Sequence, residues 1–182
     1  GHGLLRDSQD KSFIKKIKMK NKDLNSDFIF CTEGFNLRND ELSAVIGLEQ
    51  IKRLDQNIKK RNYNHKLFLK NLRNDIFFKD FNLAGSSNYG LHLILRKKSK
   101  KLFNKILQIL ELNSIEYRIG SAGGGNQLRQ PYLKKFRKKF NFRKFTNTEH
   151  MHFYSLYIGN YPELNRSKII NLCKILNSIN IS

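Results

Sequence analysis

The run from Asn39 to Arg73 most restricts what this 182-residue chain can build. Asn39 reads as an N-cap, with Asp40 and Glu41 in the first turn, where the helix dipole favours negative charge. Leu42, Val45, Ile46, Ile51, Leu54 and Ile58 recur at mostly three-to-five-residue steps, close to one helical face. Lys, Arg, Gln and Leu carry the pattern on to Arg73. A single helix of that length measures roughly 50 Å at ~1.5 Å per residue, which outruns a compact domain. The pattern therefore predicts a helix that kinks or bridges two domains. Ser43, Ala44 and Gly47 form a small-residue patch on it, where another backbone can approach closely.

On the N-terminal side, residues 1–27 are polar and Lys-rich, with one weak apolar cluster at Phe13, Ile14 and Ile17, and read as a surface segment. Phe28 to Cys31 predicts a short buried strand. After the helix, strands and helices alternate. Tyr89 to Arg96 is strand-like behind a Gly85-Ser86-Ser87 turn. Ser99 caps a helix with Leu102, Phe103, Ile106, Leu107 and Leu110 on one face. Ile115 to Ile119 reads as a second strand, Gly120 to Asn126 as a flexible loop, and Lys134 to Lys144 as a very basic stretch. Asn147 can cap a short helix, Leu156 to Ile158 is a third strand, and Pro162 marks a turn. Asn165 caps a final helix lined by Ile169, Leu172, Cys173, Leu176 and Ile179. This β-α-β…β-α order implies a small α+β layer domain from about residue 75 onward, with no internal repeat.

Fourteen Phe and seven Tyr supply enough core to exclude disorder for most of the chain. No run approaches 18 apolar residues, so no transmembrane helix is expected. The start, GHGLLRD, has neither an initiator Met nor the basic-then-apolar layout of a signal peptide, and reads as the middle of a longer protein. Cys31 and Cys173 are far apart in apolar settings. That excludes a disulfide scaffold or a Cys-based zinc site and suits a reducing cytoplasm. The net charge of +20, from 35 basic and 15 acidic residues, points to nucleic acid or to compositional drift. With 24 Lys against 11 Arg and 21 Asn, drift is the better account. Charge speaks to association and not to fold, and it suits anionic small substrates equally well.

Candidate chemistry is sparse. Gly123-Gly124-Gly125 lacks the spacing of a nucleotide P-loop, but glycines let backbone N–H groups approach an anion. Asn126, Arg129 and Gln130 follow with donors for phosphate or sugar oxygens. His150 and His152 stand beside Glu149 without i, i+4 spacing or an apparent third ligand, so solvated or packing roles are expected and no metal site. No nucleophile signature or general-acid constellation occurs. The basic run at Lys134-Lys135 and Arg137-Lys138-Lys139 is interleaved with Phe136, Phe140 and Phe142. That is a single-strand-binding pattern, set against Phe side chains that anchor a loop while Lys points to water. The second reading is favoured, and no specific nucleic acid is expected.

The run GFNLRNDELSAVIGLEQIKRLDQNIKKR resembles the G-Y-N-x-R…A-A-x-G-x-x-Q-L-x-x-L-D…R stretch of the DegT/DnrJ/EryC1/StrS family of pyridoxal-phosphate (PLP) sugar aminotransferases. HGLLRD resembles the R-x-H-G segment that precedes it. GGGNQLRQPYL is similar to the G-N-x-x-[RK]-Q-P loop of one branch, and NTEHMHFYSLYIGNYPEL to that branch's closing motif. The match runs from His2 to about Asn177, with residues 75–115 contributing pattern only. The resemblance implies an α/β fold: the C-terminal portion of a fold type I PLP-dependent transferase. It divides into residues 1–38 (end of the large PLP-binding domain), 39–74 (connecting helix) and 75–182 (small α+β domain). Family members are about twice this length, and the Schiff-base Lys belongs to the missing half. No catalytic residue is therefore assigned, and this chain alone is expected to be inactive. The resemblance gives Asn36 the PLP phosphate of the partner subunit in a homodimer, with Arg38 on the same loop. It sets Asn126, Arg129 and Gln130 facing the sugar nucleotide. The implied activity is amino transfer from an amino acid, typically glutamate, to a nucleotide-linked keto sugar for deoxyamino-sugar or surface-polysaccharide synthesis in the cytoplasm, away from membranes. A sugar 3-dehydrase of the same family is the alternative, and a basic nucleic-acid-binding module the alternative of another class.

Overall fold

The computed structural model describes residues 3–34, 40–136 and 139–180. These fall into two compact units that are each discontinuous in sequence. One unit joins residues 1–38 to 119–153, and the other joins 39–118 to 154–182. Residues 119–153, expected within a continuous C-terminal domain, thus pack with the N-terminal segment.

The first unit begins with an extended stretch. The Leu5 N–H donates to the Ile29 carbonyl (2.8 Å) and the Cys31 N–H to that of Gly3 (2.8 Å). Leu4 and Phe30 make a lone antiparallel bridge, so the strand expected at Phe28–Cys31 is reduced to one bridge. Helix α1, Lys11–Lys20, occupies the segment read as surface. Asp10 caps it, its carboxylate accepting the N–H groups of Ser12 (2.9 Å) and Phe13 (3.0 Å). Ile14 and Ile17 of α1 pack on Leu5, Leu24 and Ile29. That small cluster is the apolar support of the unit. The unit also holds helix α5, Thr146–Tyr154, up to Phe153. Helix α5 starts one residue before the expected cap, Asn147.

In the second unit the long helix is two. Helix α2 spans Glu41–Ile51 and helix α3 Leu54–Asn71. The break is a tight turn at Lys52–Arg53, where the Arg53 N–H reaches only to the Gln50 carbonyl. The cap of α2 is Asp40, not Asn39: its carboxylate accepts the Ser43 N–H at 2.7 Å. Leu42, Val45, Ile46, Leu48 and Ile51 of α2 are all exposed, and nothing approaches the open side of Gly47.

The sheet of this unit has strands β1 (Gly90–Ile94), β2 (Arg118–Ile119) and β3 (Ser155–Gly159), in the order β1-β3-β2. Strands β1 and β3 are antiparallel, with Leu91 opposite Ile158, His92 opposite Tyr157 and Leu93 opposite Leu156. Alternation sets Leu91, Leu93, Leu156 and Ile158 on one face and His92 with Tyr157 on the other. Helices α4 (Lys100–Leu112) and α6 (Arg166–Asn177) pack on each other, and α3 packs on α6 and β1. Ser99 and Asn165 cap α4 and α6 as their sequences imply. The core is Phe68, Phe77, Leu91, Ile106, Leu110, Leu156, Ile169 and Leu176, all below 2% exposed. Cys173 lies in it, and burial pushes its thiol up to about 11. Both cysteines are free.

Candidate functional site

The candidate site is the loop from Ser121 to Gln130 in the first unit. Its chain reversal needs three successive glycines with positive φ: Gly123 (72°), Gly124 (104°) and Gly125 (57°). At Gly125 space is limiting too, since a Cβ would sit 2.1 Å from Nδ1 of His152. The side of Gly123 is open, with no atom within 4 Å of where its Cβ would lie.

Helix α5 holds this loop. The Asn126 backbone N–H donates to His152 Nδ1 at 3.1 Å, and Asn126 Nδ2 donates to Glu149 Oε1 at 2.6 Å. Asn126 Oδ1 accepts the Leu128 N–H, so all three groups of this buried residue are engaged. Arg129 forks onto Glu149, Nε to Oε1 at 2.8 Å and Nη2 to Oε2 at 2.5 Å, and its Nη1 reaches Asp23. The guanidinium lies over the rings of Phe142 (4.4 Å) and Phe153 (4.9 Å). Burial pushes the Glu149 carboxyl up, but the bonds from Arg129 and Asn126 outweigh it and hold it below its usual value. Those same bonds from Glu149 raise Arg129.

Gln130 is fully buried. Its Oε1 accepts the Phe30 N–H at 2.9 Å, and Nε2 donates to the carbonyls of Phe28 (3.0 Å) and Gly124 (2.9 Å). The three residues expected to face a sugar nucleotide are therefore brought together, and each of them binds the protein itself. Asn36 and Arg38 lie outside the described residues. The sequence predicts solvated or packing roles for the His150/His152 pair beside Glu149, without assigning the loop as their partner. The i, i+3 spacing of Glu149 and His152, which sets both on one face of α5, was the available signal for a shared structural role. No cluster that could hold a metal ion occurs among the described residues.

In the basic stretch, Phe136 and Phe140 are 41% and 44% exposed, so they do not anchor it as expected. Lys135 lies over the ring of Phe136 and Lys139 over that of Phe140. Phe142, against Arg129, is the anchoring ring. Arg137 and Lys138 lie outside the described residues.

The closing motif has a structural role in the second unit. Asn160 Nδ2 donates to the carbonyls of Arg61 (2.9 Å) and Asn88 (2.7 Å), tying α3 to the turn before β1. On α3, His65 is 2% exposed and neither ring nitrogen has a hydrogen-bond partner among the described residues. The rings of Phe81 and His92 stand 6.1 and 6.3 Å away. Burial, with the nearby His92, pulls the His65 imidazole down to about 4.

The three-stranded layer with its helices, preceded by a helical connection, has the fold of the corresponding portion of fold type I PLP-dependent enzymes. The chain belongs to the DegT/DnrJ/EryC1/StrS aminotransferase family, whose sequence model matches residues 2–177. It is 26% identical over 161 residues to a GDP-4-keto-6-deoxy-D-mannose 3-dehydratase of Escherichia coli O55:H7, covering 88% of this chain and 41% of that protein. The solved E. coli 3-dehydratase with bound hydrated PLP superposes with a TM-score of 0.63 at 24% identity, over 96% of this chain and 44% of that one. Helicobacter pylori PseC, an aminotransferase of pseudoaminic acid biosynthesis, superposes with a TM-score of 0.58 at 18% identity, over 93% and 46%. The chain thus spans less than half the length of these relatives. No helix among the described residues is long and apolar enough to cross a membrane.

Proposed function

We propose that the chain is the C-terminal portion of a PLP-dependent homodimeric enzyme that acts on a nucleotide-linked keto sugar. The observation that carries this is the family match across residues 2–177, which includes the Gly123–Gln130 loop. Within that reading, 3-dehydration is the better supported reaction. The curated relative with that activity aligns over 88% of the chain, whereas the family description and PseC support amino transfer.

PLP, when bound, supplies an electron sink for carbanion chemistry. Its phosphate suits the donors of Asn36 and Arg38. The α2 amides are less available to it, because the Asp40 carboxylate already accepts the Ser43 N–H and hydroxyl. The Ser121–Gln130 loop shapes the sugar-nucleotide side with its backbone, and Asn126, Arg129 and Gln130 fix that backbone.

Incubating the whole enzyme with GDP-4-keto-6-deoxymannose, PLP and glutamate tests the reading by product mass. Dehydration gives a sugar lacking the C3 oxygen, and transamination gives one that keeps it and gains nitrogen at C4. Recovery of unchanged sugar overturns the proposal. Asn36→Ala is expected to weaken PLP about ten- to a hundredfold, since a hydrogen bond to a charged group is worth roughly 1.5–3 kcal/mol. PLP titration of the variant checks this, and an unchanged affinity assigns Asn36 to the turn alone.

A further inference from the structure

We infer that Glu149 and His152 are positioning residues that latch the glycine loop, and that His152 does so only as the neutral tautomer protonated on Nε2. Two facts fix the tautomer. Nδ1 lies 3.1 Å from the Asn126 backbone N–H, a group that can only donate. Nε2 lies 3.0 Å from the Asp23 carbonyl, a group that can only accept. Nδ1 must therefore carry a lone pair and Nε2 a proton. The other tautomer loses both bonds, and the imidazolium loses the bond to Asn126.

The latch is built for this loop. His152 is 3% exposed, and its ring fills the space a side chain at position 125 would need. One turn back on α5, Glu149 takes the Asn126 amide and the Arg129 fork together. Backbone and side chain of Asn126 are thus gripped from one helix face. Within the loop the Gly124 N–H adds a bond to the Ser121 carbonyl at 3.1 Å.

The charged groups around His152 come from three segments. Glu149 and His150 share its helix, Arg129 projects from the loop, and Asp23 lies on the segment after α1. Glu149 and Asp23 are both paired with Arg129.

The effect on ligand binding rests on the nucleotide-sugar reading, but the latch does not. The test uses the isotope-labelled full chain. Imidazole nitrogen shifts should show a neutral ring protonated on Nε2. The Asn126 amide should be protected from solvent exchange by its bond to Nδ1. His152→Asn keeps an acceptor near the Nδ1 position and should retain most of that protection. His152→Ala should lower the protection factor about tenfold. An Nδ1–H tautomer, or an unprotected Asn126 amide in the wild type, overturns the latch, and this measurement needs no variant to fold. GDP is the binding probe. Affinity that weakens in His152→Ala and is kept in His152→Asn supports the extension to ligand. An intact latch with absent GDP binding, or with binding indifferent to His152→Ala, overturns the nucleotide-sugar reading and leaves the latch standing.

Discussion

Arg129→Ala is expected to lower the stability of the chain by about 3 kcal/mol, the low end of the cost of breaking a buried ion pair. The side chains of Arg129 and Glu149 are only 13% and 16% exposed. Removing the guanidinium leaves the Glu149 carboxylate in place without its charged partner and strips the contacts to the rings of Phe142 and Phe153. Loss of the Asp23 contact adds little, because Asp23 is 42% exposed. Arg129→Lys should recover little, since an ammonium cannot reproduce the two-pronged fork. Arg129→Met combined with Glu149→Gln should recover most of the loss. Urea denaturation measures all three. A cost for Arg129→Ala within about 0.5 kcal/mol, as for an ordinary surface change, would show that the fork does not hold the loop.

The second large effect is acid destabilisation through His65. Its imidazole is held at about 4 in the folded chain, below the ordinary 6.5, because burial disfavours the charged form. The unfolded chain therefore takes up the proton first. Stability from this group is complete above about pH 6.5, declines as pH falls, and is lost by about pH 4, to a total on the order of 2–3 kcal/mol. Burial lowers His92 as well, which adds in the same direction. His65→Phe removes the titration together with two buried nitrogens that have no partner. It should leave stability near neutral pH unchanged or higher and flatten its decline in acid. Stability curves of wild type and His65→Phe that run parallel from about pH 7 to pH 4 would rule out His65 as the acid-sensitive group.

Capped and periodic elements were legible in the sequence. Ser99 and Asn165 announce α4 and α6 because a side-chain cap and an apolar stripe agree there. Helix α1 was missed although Asp10 caps it, since its two buried-side residues, Ile14 and Ile17, stand out little among lysines. The break at Lys52–Arg53 has no Gly or Pro to mark it. In the site, Asn126, Arg129 and Gln130 share one loop, and their side chains bind the protein itself. Asn, Arg and Gln donors suit a ligand and a buried loop equally well. Only the positions of Glu149, Asp23 and the Phe30 backbone decide which they meet. Asp23 and Phe30 stand about a hundred residues from the loop, beyond any local pattern.

That separation also sets the order in which the chain can acquire its structure. The bond from the Phe30 N–H to Gln130 closes a span of 100 residues, and the one from Asp23 to His152 a span of 129. Strand β1 waits in the same way for β3, over sixty residues later. During synthesis the α1 cluster can form by itself, but its bonds to the Gly123–Gln130 loop and α5 wait until most of the chain has emerged, so neither unit can close early. Closing such spans is entropically slow. The exposed apolar residues of α2 accompany that wait. Until those spans close, such exposed apolar side chains favour misassociation.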